Sequence, residues 1–353
     1  MTILRKLPIV VDTTLRDGVQ MPGVHLGFND RETILSHLSS IGISEIEFGC
    51  APRSEGELQE MCLLAEKHQS IILSVWCRAR KEDIDRAASI PGATVHISFP
   101  ASSRHMKILS TDEREVLTRA DRLIRYARVK APRVTVGAQD ATRADPSFLR
   151  QLLSTSCSAG AARIRIADTV GIATLQSITT LISSLKHDIP DCPLEFHGHN
   201  DFGLAAAITL AAAEAGIDAV STTVQGVGER AGNTAFEEFI TAAMMLYDYD
   251  VPFDTRKLAL LCMTVAEAFN LPARRNKAII GTNVFRHESG VHCHGMRRDG
   301  KAYQPFDAEL VGLRTSFSIG EYSGVSSLLA ALESCGITAT DGQARKLMEC
   351  FRK

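Results

Sequence analysis

The sequence predicts a closed (β/α)8 TIM barrel followed by a small, mostly helical C-terminal extension. Eight short, nearly continuous apolar segments recur along the chain, and segments with helical periodicity separate them. Strands buried on both faces have this apolar character, and alternation with helices is typical of parallel sheets. The alternation fills about 240 residues, close to the size of one (β/α)8 barrel. An open, doubly wound sheet is the alternative, but it rarely needs eight strands at such regular spacing.

The barrel elements have recognisable ends. The predicted strands span residues 9–13, 45–48, 71–76, 94–99, 133–137, 163–167, 194–197 and 219–224. The clearest helices between them span residues 30–41, 111–129, 145–159, 175–187 and 204–213. Asp30, Thr111 and Asp145 are suited to cap helices, because their side chains accept hydrogen bonds from the first backbone N–H groups. Gly42 and Gly160 stand where helices should end.

The pattern changes after the eighth unit. We therefore predict a catalytic barrel at residues 1–245, a linker and helix at 246–274, and a helical extension at 275–353. Within the extension, residues 281–300 are rich in His, Arg and Gly and show little periodicity. For the segment 287–294 within them we expect a loop that reaches over an active site. Closing helices are expected at 321–333 and 341–352.

Composition excludes several classes of protein. The 353 residues carry 39 Lys and Arg against 41 Asp and Glu, so no bulk positive field exists for nucleic acid or an anionic membrane. We expect no membrane span, since no apolar run approaches about 18 residues, and the first residues lack a leader pattern. The nine Cys show no C-x-x-C spacing. This argues against a disulfide framework and a zinc ribbon, and favours reduced thiols in a cytoplasmic protein.

Polar residues cluster after predicted strands, at the barrel mouth where catalytic groups of this fold lie. His197 and His199 are alternate residues of one strand, so both rings should point to the same side. Asp17, after the first strand, is the best third ligand for a facial triad that binds a divalent metal. Mixed His and carboxylate ligation leaves Zn, Mn, Co, Fe or Mg open.

Four further residues that follow predicted strands each have a functional and a structural interpretation. Arg16 is suited to stabilise an enolate or alkoxide oxygen beside a metal, or forms a simple ion pair. Thr169 would donate its hydroxyl to a substrate carboxylate, or cap a helix. Arg78 and Arg53 follow the third and second strands and are candidates to bind substrate anions. Their structural alternatives are a buried ion pair for Arg78 and a solvent-facing side chain for Arg53.

Two other patterns resemble known motifs less well. The glycines at 226, 228 and 232 have the spacing G-x-G-x-x-x-G, which is not that of a dinucleotide-binding loop. They favour tight turns and close backbone approach to a ligand. The second His cluster, at 287–294, has no further carboxylate or Cys in register, so we do not predict a second metal site there.

Four motifs together resemble a known enzyme family. They are D-T-T-L-R-D-G-V-Q at 12–20, H-G-H-N-D at 197–201, G-V-G-E-R-A-G-N at 226–233 and H-E-S-G-V-H at 287–292. The chain resembles the metal-dependent acyl-CoA Claisen synthases of the homocitrate and isopropylmalate synthase family over nearly its whole length. The segments 76–78, 98–102 and 167–171 make it most similar to the nitrogenase-type homocitrate synthases.

The resemblance implies a reaction between acetyl-CoA, as co-substrate, and a 2-oxo acid. The methyl group of acetyl-CoA is deprotonated and attacks the ketone, and the thioester is then hydrolysed. By residue match, the metal ligands would be Asp17, His197 and His199, with Asn233 beside them. Residues implied to act on the substrates or line the pocket are Arg16, Gln20, Thr169 and Glu195. His292 and Tyr303 match residues that reach into a partner subunit's site, which implies a homodimer.

Two departures from the family pattern keep the substrate open. Gln139 stands at a catalytic position where the family has Glu, and an amide cannot accept a proton at neutral pH. Residues 318–324 also differ from relatives that carry Lys-His. 2-Oxoglutarate is the favoured oxo acid, and phosphonopyruvate, oxaloacetate and pyruvate are alternatives. A lyase of the same superfamily and a non-catalytic binding protein are the remaining hypotheses.

Overall fold

Eight parallel strands close into a barrel, which confirms the predicted fold class. The computed structural model describes residues 4–351. The ends of the predicted barrel and extension, residues 1–3 and 352–353, therefore lie outside the described residues. The strands are β1 (Arg5–Lys6), β2 (Ile9–Asp12), β3 (Glu45–Cys50), β4 (Ile72–Arg78), β5 (Thr94–Pro100), β6 (Val134–Gln139), β7 (Ile164–Asp168), β8 (Leu194–Gly198), β9 (Ala219–Thr222), β10 (Tyr249–Asp250), β11 (Arg286–His287) and β12 (Ser316–Phe317). Strands β2 to β9 form the barrel in chain order, and β9 pairs with β2 to close it.

Helices cover the outside of the barrel and make up much of the C-terminal part. They are α1 (Phe28–Ile41), α2 (Glu55–Lys67), α3 (Lys81–Ala88), α4 (Ser103–Ile108), α5 (Glu113–Arg128), α6 (Pro146–Ser158), α7 (Leu175–Asp188), α8 (Ala205–Glu214), α9 (Phe236–Leu246), α10 (Leu258–Ala268), α11 (Gly290–Arg298), α12 (Val325–Ser334) and α13 (Asp341–Phe351). The predicted ends are correct where capping chemistry is local. Asp145 caps α6, and Gly42, with φ of 106°, ends α1.

The barrel interior contains a network of buried charges, which the apolar appearance of the strands did not predict. Glu195 on β8 accepts hydrogen bonds from Arg163 at 2.7 Å and from Arg165 at 2.6 Å. Arg163 also pairs with Glu45, and Arg165 with Glu47. Two further arginines complete the pairing of these three carboxylates, because Arg16 also contacts Glu47 and Arg133 also contacts Glu45, so each buried charge has a partner, as buried charges must. This network fills the floor beneath the barrel mouth.

The structure contains a disulfide, contrary to the expectation of reduced thiols. Cys157 near the end of α6 is bonded to Cys192, just before β8, with the two Cα atoms 6.2 Å apart. The pair is 35 residues apart in the sequence. Spacing rules did not reveal it, because neighbouring barrel units bring the two residues together. Among the described residues, no helix is both long and apolar enough to span a membrane.

The described chain divides into two compact units. One contains the barrel through Phe253 together with Glu267–Asn270, and the other contains Asp254–Ala266 and the chain from Leu271 onward. In the second unit, α12 and α13 pack around a small apolar core. The expectation of an irregular loop at 287–294 is wrong, because most of this segment forms α11. Helix α12 begins at Val325, four residues later than predicted, because Gly324 is its N-cap.

Candidate metal centre

Asp17, His197 and His199 lie together at the barrel mouth. One potential ligand atom from each residue lies within 4.8 Å of the others. His197 Nε2 is 2.9 Å from Asp17 Oδ2, and the two imidazole rings are 4.9 Å apart in an edge-to-face arrangement. All three side chains are buried. The predicted facial triad is therefore assembled in space, as alternation along β8 requires for the two His residues.

Local backbone structure fixes the third member of this group. The carbonyl of Thr13 accepts hydrogen bonds from the backbone N–H groups of Arg16, Asp17 and Gly18, which makes a tight turn directly after β2. Gly18 fits this turn because a Cβ there would come within 2.8 Å of the Val227 side chain. The turn thus directs Asp17 toward the end of β8.

The donor set fits a divalent cation. Nδ1 of His197, Nδ1 of His199 and Oδ1 of Asn233 are buried and have no hydrogen-bond partner among the described residues. Such atoms cost free energy unless water or a ligand satisfies them. The Asn233 amide donates to the Val227 carbonyl at 2.9 Å, and Asn233 forms a β-bridge with His199. Imidazole and oxygen donors of this kind suit Zn, Mn, Co or Fe, and less well Mg.

The protonation states also suit metal binding. Burial would raise the pKa of Asp17, but the Arg16 guanidinium and His197 hold it well below its usual range. Burial, reinforced by His197, lowers the pKa of His199 to about 4. A carboxylate and a neutral imidazole are therefore present at neutral pH, and these are the forms that bind metals.

Arg16 is fixed between two carboxylates. Its guanidinium lies 3.4 Å from Asp17 Oδ2 and donates a hydrogen bond to Glu47. Burial alone would lower the pKa of Arg16, but Asp17 and Glu47 raise it, so the cation is permanent. A buried, immobilised guanidinium of this kind can stabilise a negative oxygen that forms beside it.

A cavity of about 240 Å³ opens at this group. Its lining includes most of the residues predicted for the site. The lining residues are Arg16, Asp17, Gln20, Trp76, His96, Ser98, Gly137, Ala138, Gln139, Arg165, Ala167, Thr169, His197, His199, Glu229 and Arg230. The sequence interpretation missed His96, Gly137 and Arg165. Each is a strand residue in register with a lining residue of a neighbouring strand, and this register is known only from the structure.

Thr169 and Gln139 are held side by side on one wall of the cavity. The Thr169 hydroxyl accepts a hydrogen bond from the backbone N–H of Asp140 at 2.8 Å. Asp140 has a left-handed backbone with φ of 59°, and Arg143 binds its carboxylate through two hydrogen bonds of 2.8 Å. The alternative role of Thr169 as a helix cap is wrong, since Thr174 caps α7.

Three of the predicted substrate-binding residues do not line this cavity. The Arg53 side chain is 90% exposed and lines a separate cavity of about 600 Å³, which Arg16 and Gln20 also border. Arg78 is 57% exposed and pairs with Asp83 at 2.8 Å. Glu195 belongs to the buried network under the cavity floor. The position of these residues after or within a strand did not reveal where their side chains point.

His292 and Tyr303 come together in the second unit. Their rings stack with centroids 4.2 Å apart and planes 21° apart. His292 lies on α11 and Tyr303 follows that helix. Their predicted contribution to a partner's site stays a prediction.

Two family models match the chain. The model described as HMGL-like covers residues 7–265. The model described as homocitrate synthase post-HMGL domain-like covers residues 279–353. The family resemblance inferred from the four motifs is thereby confirmed.

Curated relatives match nearly the whole chain. The (R)-citramalate synthase of Methanocaldococcus jannaschii is 38% identical over 96% of this chain and 69% of its own length. The homocitrate synthase of Frankia sp. (strain FaC1) is 39% identical over 97% of this chain and 84% of its own length. Among solved structures, the HMG-CoA lyase of Bacillus subtilis superposes with a TM-score of 0.69 at 19% identity, covering 78% of this chain and 98% of the lyase. At that identity the likeness concerns the fold.

Proposed function

Since the chain belongs to the HMGL-like family, we propose that it condenses acetyl-CoA with a 2-oxo acid in a metal-dependent Claisen reaction followed by thioester hydrolysis. The favoured oxo acid is 2-oxoglutarate, which would give homocitrate. The observation that carries the proposal is the buried group of Asp17, His197 and His199 beside the fixed Arg16. Relatives named as homocitrate and citramalate synthases support the same class of reaction.

The residues at the cavity mouth would have separate roles in the reaction. Asp17, His197 and His199 would hold the cation, with the free amide oxygen of Asn233 beside them. When bound, the cation supplies Lewis-acid polarisation of the ketone. Arg16 has N–H groups beyond those that contact Glu47 and Asp17, and these would stabilise the ketone oxygen as it becomes an alkoxide. The Thr169 hydroxyl and the Gln20 amide would orient the oxo-acid carboxylate.

Proton transfer requires a base other than Gln139, because a neutral amide does not accept a proton. We propose that the stacked pair of His292 and Tyr303 supplies this function in a second copy of the chain, as the resemblance implies. Gln139 would then act as a hydrogen-bonding wall residue that orients the acetyl group.

Gln139→Glu is expected to preserve or raise thiol release, because it places a carboxylate base on the cavity wall without a large change in volume. The rate should also gain a dependence on pH in the acidic range, where the new carboxylate protonates. Steady-state rates from pH 5 to pH 9 measure both effects. Gln151→Glu, on the exposed face of α6, is the matched control. A loss of more than about 10-fold in Gln139→Glu alone would show that the amide itself is required.

The proposed reaction is tested by thiol release from acetyl-CoA with purified, metal-loaded protein. The panel contains 2-oxoglutarate, oxaloacetate, pyruvate, 2-oxoisovalerate and phosphonopyruvate, each with and without EDTA. Release with at least one acid, lost in EDTA, is the expected result. Release with pyruvate, oxaloacetate or phosphonopyruvate but not with 2-oxoglutarate would select an alternative synthase. Cleavage of a hydroxyacyl-CoA would instead favour a lyase, and binding without any turnover would favour a non-catalytic protein.

A further inference from the structure

The deep end of the cavity is built from neighbouring positions of three strands. Ser98 on β5 is the register partner of Gly137 on β6, and Gly137 is the register partner of Arg165 on β7. His96 lies two residues before Ser98 on the same strand, and all four residues line the cavity. None of them belongs to the group of Asp17, His197 and His199, called the metal group from here on, or to the four sequence motifs.

The deep end of the cavity lies two strand residues below the metal group. His197 is in register with Ala167, whereas Arg165 is in register with Glu195, two residues earlier on both strands. Two residues of a parallel strand span about 6.6 Å. A five-carbon 2-oxo dicarboxylate with its ketone at the mouth would extend its distal carboxylate over a similar distance. Pyruvate would leave the deep end unfilled.

Gly137 provides the space at this depth. A Cβ at this position would lie 2.8 Å from His96 Nε2 and 3.2 Å from Ser98 Oγ. The missing side chain therefore leaves space beside the buried His96 Nε2 and Ser98 Oγ, between β5 and β7. A methyl group would occupy the place where a ligand oxygen could meet these two atoms.

The atoms around this space are hydrogen-bond donors. Arg165 uses Nε for Glu195 and Nη1 for Glu47, and its Nη2 lies 3.0 Å from Glu47 Oε2. The two terminal nitrogens of a guanidinium carry four N–H groups, so N–H groups remain beyond these contacts. Burial and the nearby Arg165 lower the pKa of His96 to about 3, so its imidazole is neutral. His96 Nδ1 lies 2.9 Å from Thr135 Oγ1. When that hydroxyl donates to Nδ1, Nε2 carries the proton and donates into the cavity.

The charge of the surrounding network also favours an anion. Ion pairs join the three carboxylates of the barrel interior to four arginines. The carboxylates are Glu45, Glu47 and Glu195, and the arginines are Arg16, Arg133, Arg163 and Arg165. Asp17, 3.4 Å from Arg16, makes these side chains four cations against four carboxylates. A divalent cation held at Asp17, His197 and His199 would add two positive charges, which a substrate with two carboxylates would balance.

We propose that Arg165, His96 and Ser98 bind the distal carboxylate of a five-carbon 2-oxo dicarboxylate, and that Gly137 makes room for it. The inference rests on the proposed function, because the metal group at the mouth must hold the keto end. It places the distal anion away from Arg53 and Arg78, the candidates for substrate anions in the sequence analysis, whose side chains lie outside this cavity. Arg165 contacts the substrate and two carboxylates at once, so Gly137 and Ser98 are the cleaner positions to test.

The first experiment compares kcat/KM for 2-oxoglutarate and pyruvate in metal-loaded wild type and Gly137→Ala. Wild type should prefer 2-oxoglutarate, and the substitution should lower the ratio of the two constants by at least about 10-fold, since it obstructs charge-assisted hydrogen bonds. Gly56→Ala on α2, where a Cβ meets nothing within 4 Å, is the matched control and should leave the ratio unchanged. Ser98→Ala should lower the ratio in the same direction by a smaller factor. An unchanged ratio in both cavity variants would overturn the assignment.

A binding measurement separates this inference from the condensation itself. Calorimetric titration of the metal-loaded protein with 2-oxoglutarate and pyruvate, without acetyl-CoA, needs no turnover. Tighter binding of 2-oxoglutarate that Gly137→Ala weakens at least about 10-fold supports the deep site even if no thiol is released. Thiol release with pyruvate together with equal or weaker binding of 2-oxoglutarate would reject the deep site and leave the condensation standing. Thermal melts of each variant identify any that fails to fold.

Discussion

His197→Ala is expected to remove the bound metal and to lower kcat/KM by more than about 100-fold, beyond the loss that an outer ligand-shell partner causes. The substitution leaves one imidazole and one carboxylate where the cation needs three side chains. It also removes the group that lies 2.9 Å from Asp17 and helps to hold that carboxylate ionised. The ketone would then lose its Lewis acid while the rest of the cavity stays in place.

Metal content per chain, measured on dialysed protein, and thiol release in the same samples provide the readout. His187→Ala, an exposed residue on α7, is the matched control and should retain both. Melting temperatures of the metal-free forms of both variants distinguish metal loss from unfolding. Turnover that persists in His197→Ala or in chelated wild type would show that this group does not hold a catalytic metal.

The spatial grouping of Asp17, His197 and His199 was predictable because its determinants are local. His197 and His199 needed only the two-residue alternation of a strand, and Asp17 needed only its place after the first strand. Gln139 and Thr169 also line the cavity, since Gln139 ends β6 and Thr169 directly follows β7, and Gln20 lines it from the 3-10 turn at Gly18–Gln20 that comes after β2. In such positions the fold class alone brings the side chains to the same end of the barrel.

Residues within the strands were harder to interpret. Glu195 was expected at the pocket, but it is bound to two arginines in the barrel interior. Arg165 was not selected, although it lines the cavity. Apolar patterning does not report which of two alternating faces is inside a closed barrel, and charge pairing becomes visible only when the strand register is known. The same limitation hid the contact between Cys157 and Cys192, which depends on the packing of successive units.

Removing one member of the interior network is the second change with a large expected effect. Arg163→Met should lower the free energy of unfolding by about 3–5 kcal/mol, the range for breaking a buried ion pair by removing one partner. Arg163 contacts both Glu45 and Glu195, and it lies outside the catalytic cavity. Without it, two buried carboxylates lose a partner while the surrounding barrel stays closed to water. Urea denaturation at pH 7, followed by far-UV circular dichroism, measures the loss.

The matched control is Arg125→Met, which breaks an exposed i,i+4 pair with Asp121. Such pairs contribute about 0.3–0.5 kcal/mol. The double variant Arg163→Met, Glu45→Gln should recover part of the loss, because it removes one of the two carboxylates that lose Arg163, the one that would otherwise keep only Arg133 as a partner. Glu195 would still be paired with Arg165 in that variant. If Arg163→Met lowers the free energy of unfolding no more than Arg125→Met does, water reaches the barrel floor and screens these charges. The proposed anion site at the deep end of the cavity would then lose its electrostatic basis as well.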